Sequence, residues 1–379
     1  MMQLKLTSLK PIGSPDLLLL TSVFSLAFLG IILVASSSIE LSAHRYSSPY
    51  YFSFKHCVFL FISFCSGLVA YLIPTRCWYR YSNFLLVSSV FLLVLVLIIG
   101  REVNGAQRWI QLGSLNLQPS EFSKFTVMVF MATYLVRHLE EVRKANWIGF
   151  IKPLLVVLSI AVLIFLGRDF GTFFILFCAV LGVLFLAGAP FVKFLVLVFS
   201  SVAASIWLIV SEPYRYQRLT VFLDPWDKDF RFGDGYQMVQ SIVAFGRGDW
   251  IGLGLGNSVQ KLFYLPEAHT DFIFAILAEE MGFLGALSTI FLMGLLIWRS
   301  LLIGRFAEVT GRPFAAYLVY GLALLLGVQI FLNLAVNVGL APTTGIPLPL
   351  LSYGGSSLLV TAVGLGVIAR VSADLEYLR

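Results

Sequence analysis

The chain has 379 residues, 59% hydrophobic and only 12% charged, with a formal net charge of +6. Soluble domains are about half apolar and about a quarter charged, and disorder needs high charge with low hydrophobicity. The composition therefore excludes both an ordinary soluble enzyme and an unfolded chain.

Crossing a membrane takes about 20 mostly apolar residues. Ten segments approach that length: 17–36, 52–73, 84–100, 122–136, 147–166, 170–188, 191–210, 272–296, 314–340 and 356–371. Their apolar runs are continuous rather than alternating, which favours helices over a β-barrel. The expected fold is all-α: one polytopic membrane domain over residues 1–379, with about ten transmembrane helices. The apolar run of the first segment is too long for a signal-peptide core and reads as an uncleaved anchor. Cys57, Cys65, Cys77 and Cys178 lie in or beside these segments without metal-ligand spacing. Counting Lys and Arg in the connecting segments and at the adjoining span ends, fourteen fall on the N-terminal side against five in the short segments opposite, with six more in one long loop on that opposite side. The positive-inside rule then puts both termini, residues 1–16 and 372–379, in the cytoplasm. The basic excess is a topology signal, and nucleic acid is not an expected partner.

Charge kept near hydrocarbon at a desolvation cost marks function in membrane proteins. Three polar segments on the expected outer face stand out. The first runs Asn104-Gly105-Ala106-Gln107-Arg108-Trp109-Ile110, then Gln118-Pro119-Ser120-Glu121. Pro119 suits a first helical turn, with Ser120 or Glu121 near free backbone N–H groups. Glu121 and Lys124 share a helix face. They either neutralise each other or line a polar cavity, where Lys124 would offer a compact charge to phosphate.

The second is a large loop, residues 211–270, between the seventh and eighth helices. It opens Tyr214-Arg215-Tyr216-Gln217-Arg218. Tyr236, Val239, Ile242 and Val243 then give an amphipathic helix expected along the membrane surface. Gly252, Gly254 and Gly256 superficially resemble a dinucleotide fingerprint, but Asn257 stands where its third glycine is required and the βαβ frame is missing, so they read as tight turns against the membrane. At the loop's end, Glu267 reads as a helix cap or a salt-bridge partner. Asp271 sits at the hydrocarbon boundary, where desolvation would raise its pKa and suit it as a general base. His269 is the alternative base. Glu279 and Glu280 point to different faces, so at least one needs an internal partner.

The third segment, residues 337–357, carries too many prolines and glycines for a regular helix. Irregular backbone at membrane depth must be buried in protein or line a cavity. Gly354 and Gly355, beside Ser352, are expected at positive φ. Composition and spacing alone fit an enzyme and a transporter equally.

Together, Asn104–Ile110 with Gln118–Glu121, the stretch from Tyr264-Leu265-Pro266-Glu267 to Phe274, and Pro347-Leu348-Pro349-Leu350-Leu351-Ser352-Tyr353-Gly354-Gly355 resemble the SEDS family (shape, elongation, division, sporulation). Asn104-Gly105, the run over residues 256–268 and Ala341-Pro342-Thr343-Thr344-Gly345 resemble its cell-division branch more than its elongation branch. The resemblance covers almost the whole chain. It implies a ten-helix glycosyltransferase of the bacterial inner membrane, acting at the division septum, that polymerises lipid II into peptidoglycan strands. It also implies work with a class B penicillin-binding protein (a transpeptidase) and other divisome membrane proteins.

In that chemistry the 4-hydroxyl of the acceptor GlcNAc attacks a donor strand held on undecaprenyl diphosphate. A base near the hydroxyl and positive charge near the leaving diphosphate are required. The family's essential acid falls on Asp271, and its Glu and Lys of the fourth helix on Glu121 and Lys124. Lys124, Arg108, Arg247 and Lys261 are the cations expected at the diphosphates. Trp109, Glu267, His269 and Ser352 are expected to bind substrate. A divalent cation would fit such chemistry, but no ligand cluster in the sequence identifies one. The rival readings are a lipid II flippase and a non-catalytic divisome scaffold. Two positions depart from the family pattern: Gly167-Arg168 precedes Asp169 where Gln-Pro or Glu-Pro is usual, and Thr344 stands where Lys is frequent. No role is therefore carried over to Asp169.

Overall fold

The computed structural model describes residues 13–103, 106–113, 115–144, 147–210, 217, 220–233 and 235–376. Lys5, Lys10, the Asn104-Gly105 pair, Tyr214, Arg215, Tyr216, Arg218 and Arg379 lie outside them. The helices are α1 (Leu17–Tyr46), α2 (Tyr51–Leu72), α3 (Thr75–Arg80), α4 (Ser82–Ile99), α5 (Pro119–Arg143), α6 (Trp147–Leu166), α7 (Phe170–Leu186), α8 (Phe191–Val210), α9 (Tyr236–Gly248), α10 (Ile273–Val309), α11 (Pro313–Asn337) and α12 (Gly355–Glu376). Asp16 caps α1 by accepting the Leu19 N–H at 2.9 Å. Pro119 and Pro313 occupy first turns, where a missing N–H costs nothing.

Each of the ten expected segments corresponds to one long helix. Seven are long and apolar enough to cross a membrane, and α7 and α8 are apolar as well. α5 is the most polar, because it carries Glu121, Lys124 and a charged last turn. α5 and α10 outrun the expected spans to reach Arg143 and Val309, since a helix can continue past the apolar layer.

The all-α expectation needs one amendment. Arg101–Val103 (β1), Ala106–Leu112 (β2) and Leu115–Leu117 (β3) form an antiparallel meander in the order β1-β2-β3. The outer strands have three residues each, too few to show the alternation by which a strand is read.

α11 is the central helix, packed against α5, α7, α10 and α12 and buried along most of its length. α2 and α12 approach through glycines: a Cβ on Gly366 would lie 2.1 Å from the Gly67 carbonyl oxygen. Small residues at contact points let helices pack without a hydrophobic drive between them. At one end of the bundle the two ends of the described chain meet. Ser14 donates to Glu376, the Asp16 N–H donates to Ser372 Oγ at 3.1 Å, and Arg299 pairs with Asp16 at 2.6 Å.

α10 is broken at Gly282, with φ 67° and ψ −167°. A break frees backbone groups that must find partners away from water. The glycine-rich turn supplies them. Leu253 and Gly254 donate N–H to the Glu279 and Glu280 carbonyls, both at 3.0 Å, while Phe283 N–H reaches the Asp249 carbonyl at 2.8 Å. The turn therefore docks on a helix break, where the sequence had placed it against the membrane. α9 also docks on protein. Its buried face is Met238, Val239, Ser241, Ala244 and Gly248, packed on α10, so the expected stripe through Ile242 and Val243 is only half-buried.

Gly252 has φ 80°, and a Cβ there would meet the Glu280 carbonyl oxygen at 2.2 Å; Gly256 has φ 85° with open space around it. Left-handed backbone costs a non-glycine residue about 1–2 kcal/mol. Gly256→Ala should lose about that much, and Gly252→Ala distinctly more, in thermal melts of the purified protein. Equal melting shifts would show that the turn does not seat on the break.

Candidate active site

At the end of the bundle opposite the chain termini, three separate segments converge on Asp271. β2 brings Arg108. The non-helical stretch after α11 brings Gly345, whose φ of 69° leaves the side-chain position empty. A Cβ there would lie 3.7 Å from Arg108 Nη2 and 3.7 Å from Asp271 Oδ2. The guanidinium and the carboxylate thus face each other across one residue's width. No hydrogen bond or ion pair within the described residues reaches the Asp271 carboxylate.

That sets Asp271 apart. Among the described residues, every other acid that is buried or half-buried is engaged: Asp16 with Arg299, Glu121 with Lys124, Asp169 with Ser120, Glu279 with Arg247, Glu280 with Lys261 and Asp374 with Arg370. Burial, assisted by the charge of Glu267, pushes the Asp271 carboxyl up to about 7, against a smaller opposing pull from Arg108. Desolvation penalises the ionised form, and a like charge adds to the penalty.

The backbone of Asp271 is held as tightly as its side chain is left open. Its carbonyl accepts from Asn333 Nδ2 at 3.0 Å and from Asn337 Nδ2 at 2.9 Å. Asn333 Nδ2 also donates to the Ile346 carbonyl at 2.7 Å, and Asn337 Oδ1 accepts the Ala275 N–H at 3.1 Å. One turn earlier on α11, Gln329 Nε2 donates to the Pro347 carbonyl at 3.0 Å and Gln329 Oε1 accepts from Lys124 Nζ at 2.8 Å. Three amides four residues apart share one face of α11. They tie Asp271, the 346–347 backbone and the α5 cation into one network. That spacing was visible in the sequence as polar side chains inside an apolar span.

Lys124 is only 2.9 Å from Glu121, and both are buried. The pair lines a cavity of about 30 Å³ between α5, α11 and α12, space for about one water. The two charges thus pair with each other, and the cavity that they line is small. Asp169, to which no role was carried, sits at the centre of a further group. It accepts from Ser120 Oγ at 2.6 Å, Gln118 Nε2 at 2.9 Å and the Thr172 N–H at 3.3 Å, and lies 3.7 Å from Arg108 Nη1. Ser120 is therefore a partner of Asp169 and not a helix cap.

The remaining expected site residues divide. Trp109 follows Arg108 on β2, half-buried beside the site. Glu267, at φ 55°, accepts from Thr270 Oγ1 at 2.8 Å and does not cap α10. His269 is buried between the rings of Phe52 and Tyr353, at 4.9 and 5.7 Å, and burial lowers its pKa. It packs against both rings there. Ser352 is buried, and its Oγ accepts the Leu348 N–H at 2.8 Å, pinning the loop.

Arg247 and Lys261 are not gathered around Asp271. Arg247 Nε pairs with Glu279 at 3.2 Å and Lys261 Nζ with Glu280 at 2.9 Å. Both glutamates are fully buried, and backbone N–H groups of residues 258–260 also reach them. The adjacent acids consume the two cations that the sequence had offered to diphosphate. Gly354 and Gly355 are not at positive φ; a Cβ on Gly355 would instead press the Phe59 ring at 3.1 Å. Among the described residues no three His, Cys, Asp or Glu converge as metal ligands.

With this geometry in place, relatives can be compared. Residues 16–377 match the cell cycle proteins grouped as FtsW, RodA and SpoVE. The chain belongs to this family, the SEDS family. It is 47% identical over 363 residues to the probable peptidoglycan glycosyltransferase FtsW of Halomonas elongata, covering 95% of this chain and 91% of that one. The FtsW relative of Hahella chejuensis is also 47% identical, over 95% of this chain and 90% of its own. Among solved structures, a chain of a peptidoglycan synthase complex superposes with a TM-score of 0.77 at 29% identity, covering 95% of this chain and 98% of that one. The rod shape determining protein RodA of Thermus thermophilus superposes with a TM-score of 0.70 at 28% identity, over 95% and 97%.

Removing one partner of a buried ion pair costs about 3–5 kcal/mol, because the other charge is stranded. Lys124→Met should therefore lower the melting temperature sharply, and adding Glu121→Gln should restore most of the loss. A Lys124→Met protein that melts like the parent would show that the pair does not hold the bundle together.

Proposed function

We propose that the chain is a peptidoglycan glycosyltransferase that polymerises lipid II into glycan strands during septal wall synthesis. The observation that carries this is the isolated, proton-accepting carboxylate of Asp271 held opposite Arg108. The names of the relatives support the substrate and the reaction, and family membership supports the place in the cell cycle.

Asp271 takes the proton from the 4-hydroxyl of the acceptor GlcNAc as that oxygen attacks the anomeric carbon of the donor sugar. The bond from that carbon to undecaprenyl diphosphate breaks, and the diphosphate leaves with the electron pair. Arg108 is the described cation whose charge acts on the base and is the one assigned to the diphosphate. Asp169 fixes the guanidinium from behind, so it is a positioning residue. Asn333 and Asn337 do the same for the backbone of Asp271. Lys124 acts at a remove, by neutralising Glu121 and anchoring Gln329. Arg247 and Lys261 hold the large loop onto α10 rather than binding substrate.

The Asp271 end is assigned to the outer face and both termini to the cytoplasm. Support comes from the basic bias of the sequence and from the meeting of residues 14–16 with residues 372–376 at the opposite end. A class B penicillin-binding protein is the assigned partner within a larger division assembly, in keeping with the synthase complex that the fold resembles.

A base with a raised pKa is ionised, and so active, only above that pKa. Polymerisation of purified lipid II should therefore rise with pH through about 7. Asp271→Asn keeps the shape and removes the basic electron pair, so it should lose about 10²–10⁴-fold in rate while still binding lipid II. Retained polymerisation by Asp271→Asn would remove the proposed base, and transport of lipid II without strand formation by the parent protein would favour a flippase.

A further inference from the structure

A second feature shares its bounding segments with Asp271 and has no part in the steps above. A cavity of about 360 Å³ opens between the large loop, Pro266 and the stretch after α11. Its walls are Val221, Phe222, Gly233 and Met238 on the apolar side, with Gln217, Tyr236, Gln237 and Thr343 supplying polar groups. The volume lies within the range of small-ligand sites, about 300–1,000 Å³. Pro266 immediately precedes Glu267, whose charge reaches Asp271, and Thr343 is two residues from Gly345, between Arg108 and Asp271. Two of the segments that bound the cavity therefore lead directly into the reacting centre.

The chemistry of the wall narrows the occupant. Side-chain amides offer both donors and acceptors, as do hydroxyls, which suits a ligand covered in hydroxyl and acetamido groups. Aromatic rings such as Phe222 and Tyr236 give flat apolar faces with, for tyrosine, a polar tip. A polyprenyl tail would not use two glutamines and a threonine. A pyranose ring, with an apolar face and a polar rim, uses both halves of the wall.

We propose that this cavity is a saccharide subsite that binds an N-acetylated hexosamine disaccharide through Gln237, Thr343 and the faces of Phe222 and Tyr236. It rests on the glycosyltransferase reading for its placement beside the reacting sugar. Occupation there fixes the sugar chain while the neighbouring ring presents its reacting atom to Asp271. Gln237 and Thr343 are specificity residues: they touch the ligand and take no proton.

The test uses the full chain in detergent and, as probe, the soluble GlcNAc–MurNAc disaccharide without lipid, diphosphate or peptide. Binding is read by saturation-transfer NMR, with undecaprenyl diphosphate as a separate probe. Losing one hydrogen bond typically costs about tenfold or less in affinity. Gln237→Leu and Thr343→Val should each weaken disaccharide binding by about five- to tenfold, with undecaprenyl diphosphate binding unchanged. The KM for lipid II should rise by a similar factor, while the rise of rate with pH through about 7 stays in place. Unchanged disaccharide affinity in both variants, or loss of diphosphate binding instead, would overturn the subsite. A parent protein that binds the disaccharide in this variant-sensitive way but forms no strands would support the subsite and overturn the glycosyltransferase reading, so the two fail separately.

Discussion

Inside a lipid layer no water stands ready to satisfy a broken backbone or a stray charge, so each buried polar group needs a partner in the protein. The three amides of α11 answer that constraint at the place where the fold is least regular. Gln329, Asn333 and Asn337 take up carbonyls from the loop before α10 and from the loop after α11 itself. Without them, two non-helical segments would meet at membrane depth with unpaired oxygens. With them, a central and mostly buried helix sets the height of Asp271 relative to β2 and to Gly345.

The same constraint sorts the charges. Glu279, Glu280, Glu121 and Asp169 would each be costly alone; Glu121 is compensated by Lys124 of its own helix, and the other three by cations, hydroxyls or backbone N–H groups drawn largely from other segments. One consequence is mechanical: Arg247, Lys261 and Ser36 fasten the large loop to the broken middle of α10. Another is chemical. Once the other buried and half-buried acids among the described residues are paired, Asp271 is left with an opposing guanidinium at a distance and no direct donor. A carboxylate so placed is far more basic than an exposed one, and it faces a cation suited to a leaving anion. The fold withholds a hydrogen bond from the carboxylate at this one site while supplying them elsewhere.

Much of this architecture is legible in the sequence because hydrocarbon thickness imposes one length on every span. The ten apolar segments correspond to ten long helices, and errors fall where a helix outlasts the apolar layer, as in α5 beyond Val136 and α10 beyond Leu296. The singular placement of Asp271 was legible too, from a lone acid followed at once by Phe272-Ile273-Phe274. What escaped was set by pairing between distant segments. β1 and β3 are too short to show a period. Arg247 and Lys261 looked free because their acids lie some twenty to thirty residues further on, across a turn docked on Gly282. Asp169 was set aside because its flanking residues are unusual, although its hydroxyl, amide and guanidinium partners come from α5 and β2. The Gln329, Asn333 and Asn337 spacing was readable, but its purpose appears only when the two loops it bridges are brought together.

The central claim is that Asp271 is a carboxyl group kept basic by its surroundings, and direct titration of that group tests it without reference to turnover. Infrared difference spectra of the purified protein, compared with those of Asp271→Asn, would isolate its protonated carbonyl band as a function of pH. The account predicts a band that disappears with a midpoint near 7. A midpoint near the ordinary value of 3.8 for an aspartate would contradict it, and with it the assignment of Asp271 as the base.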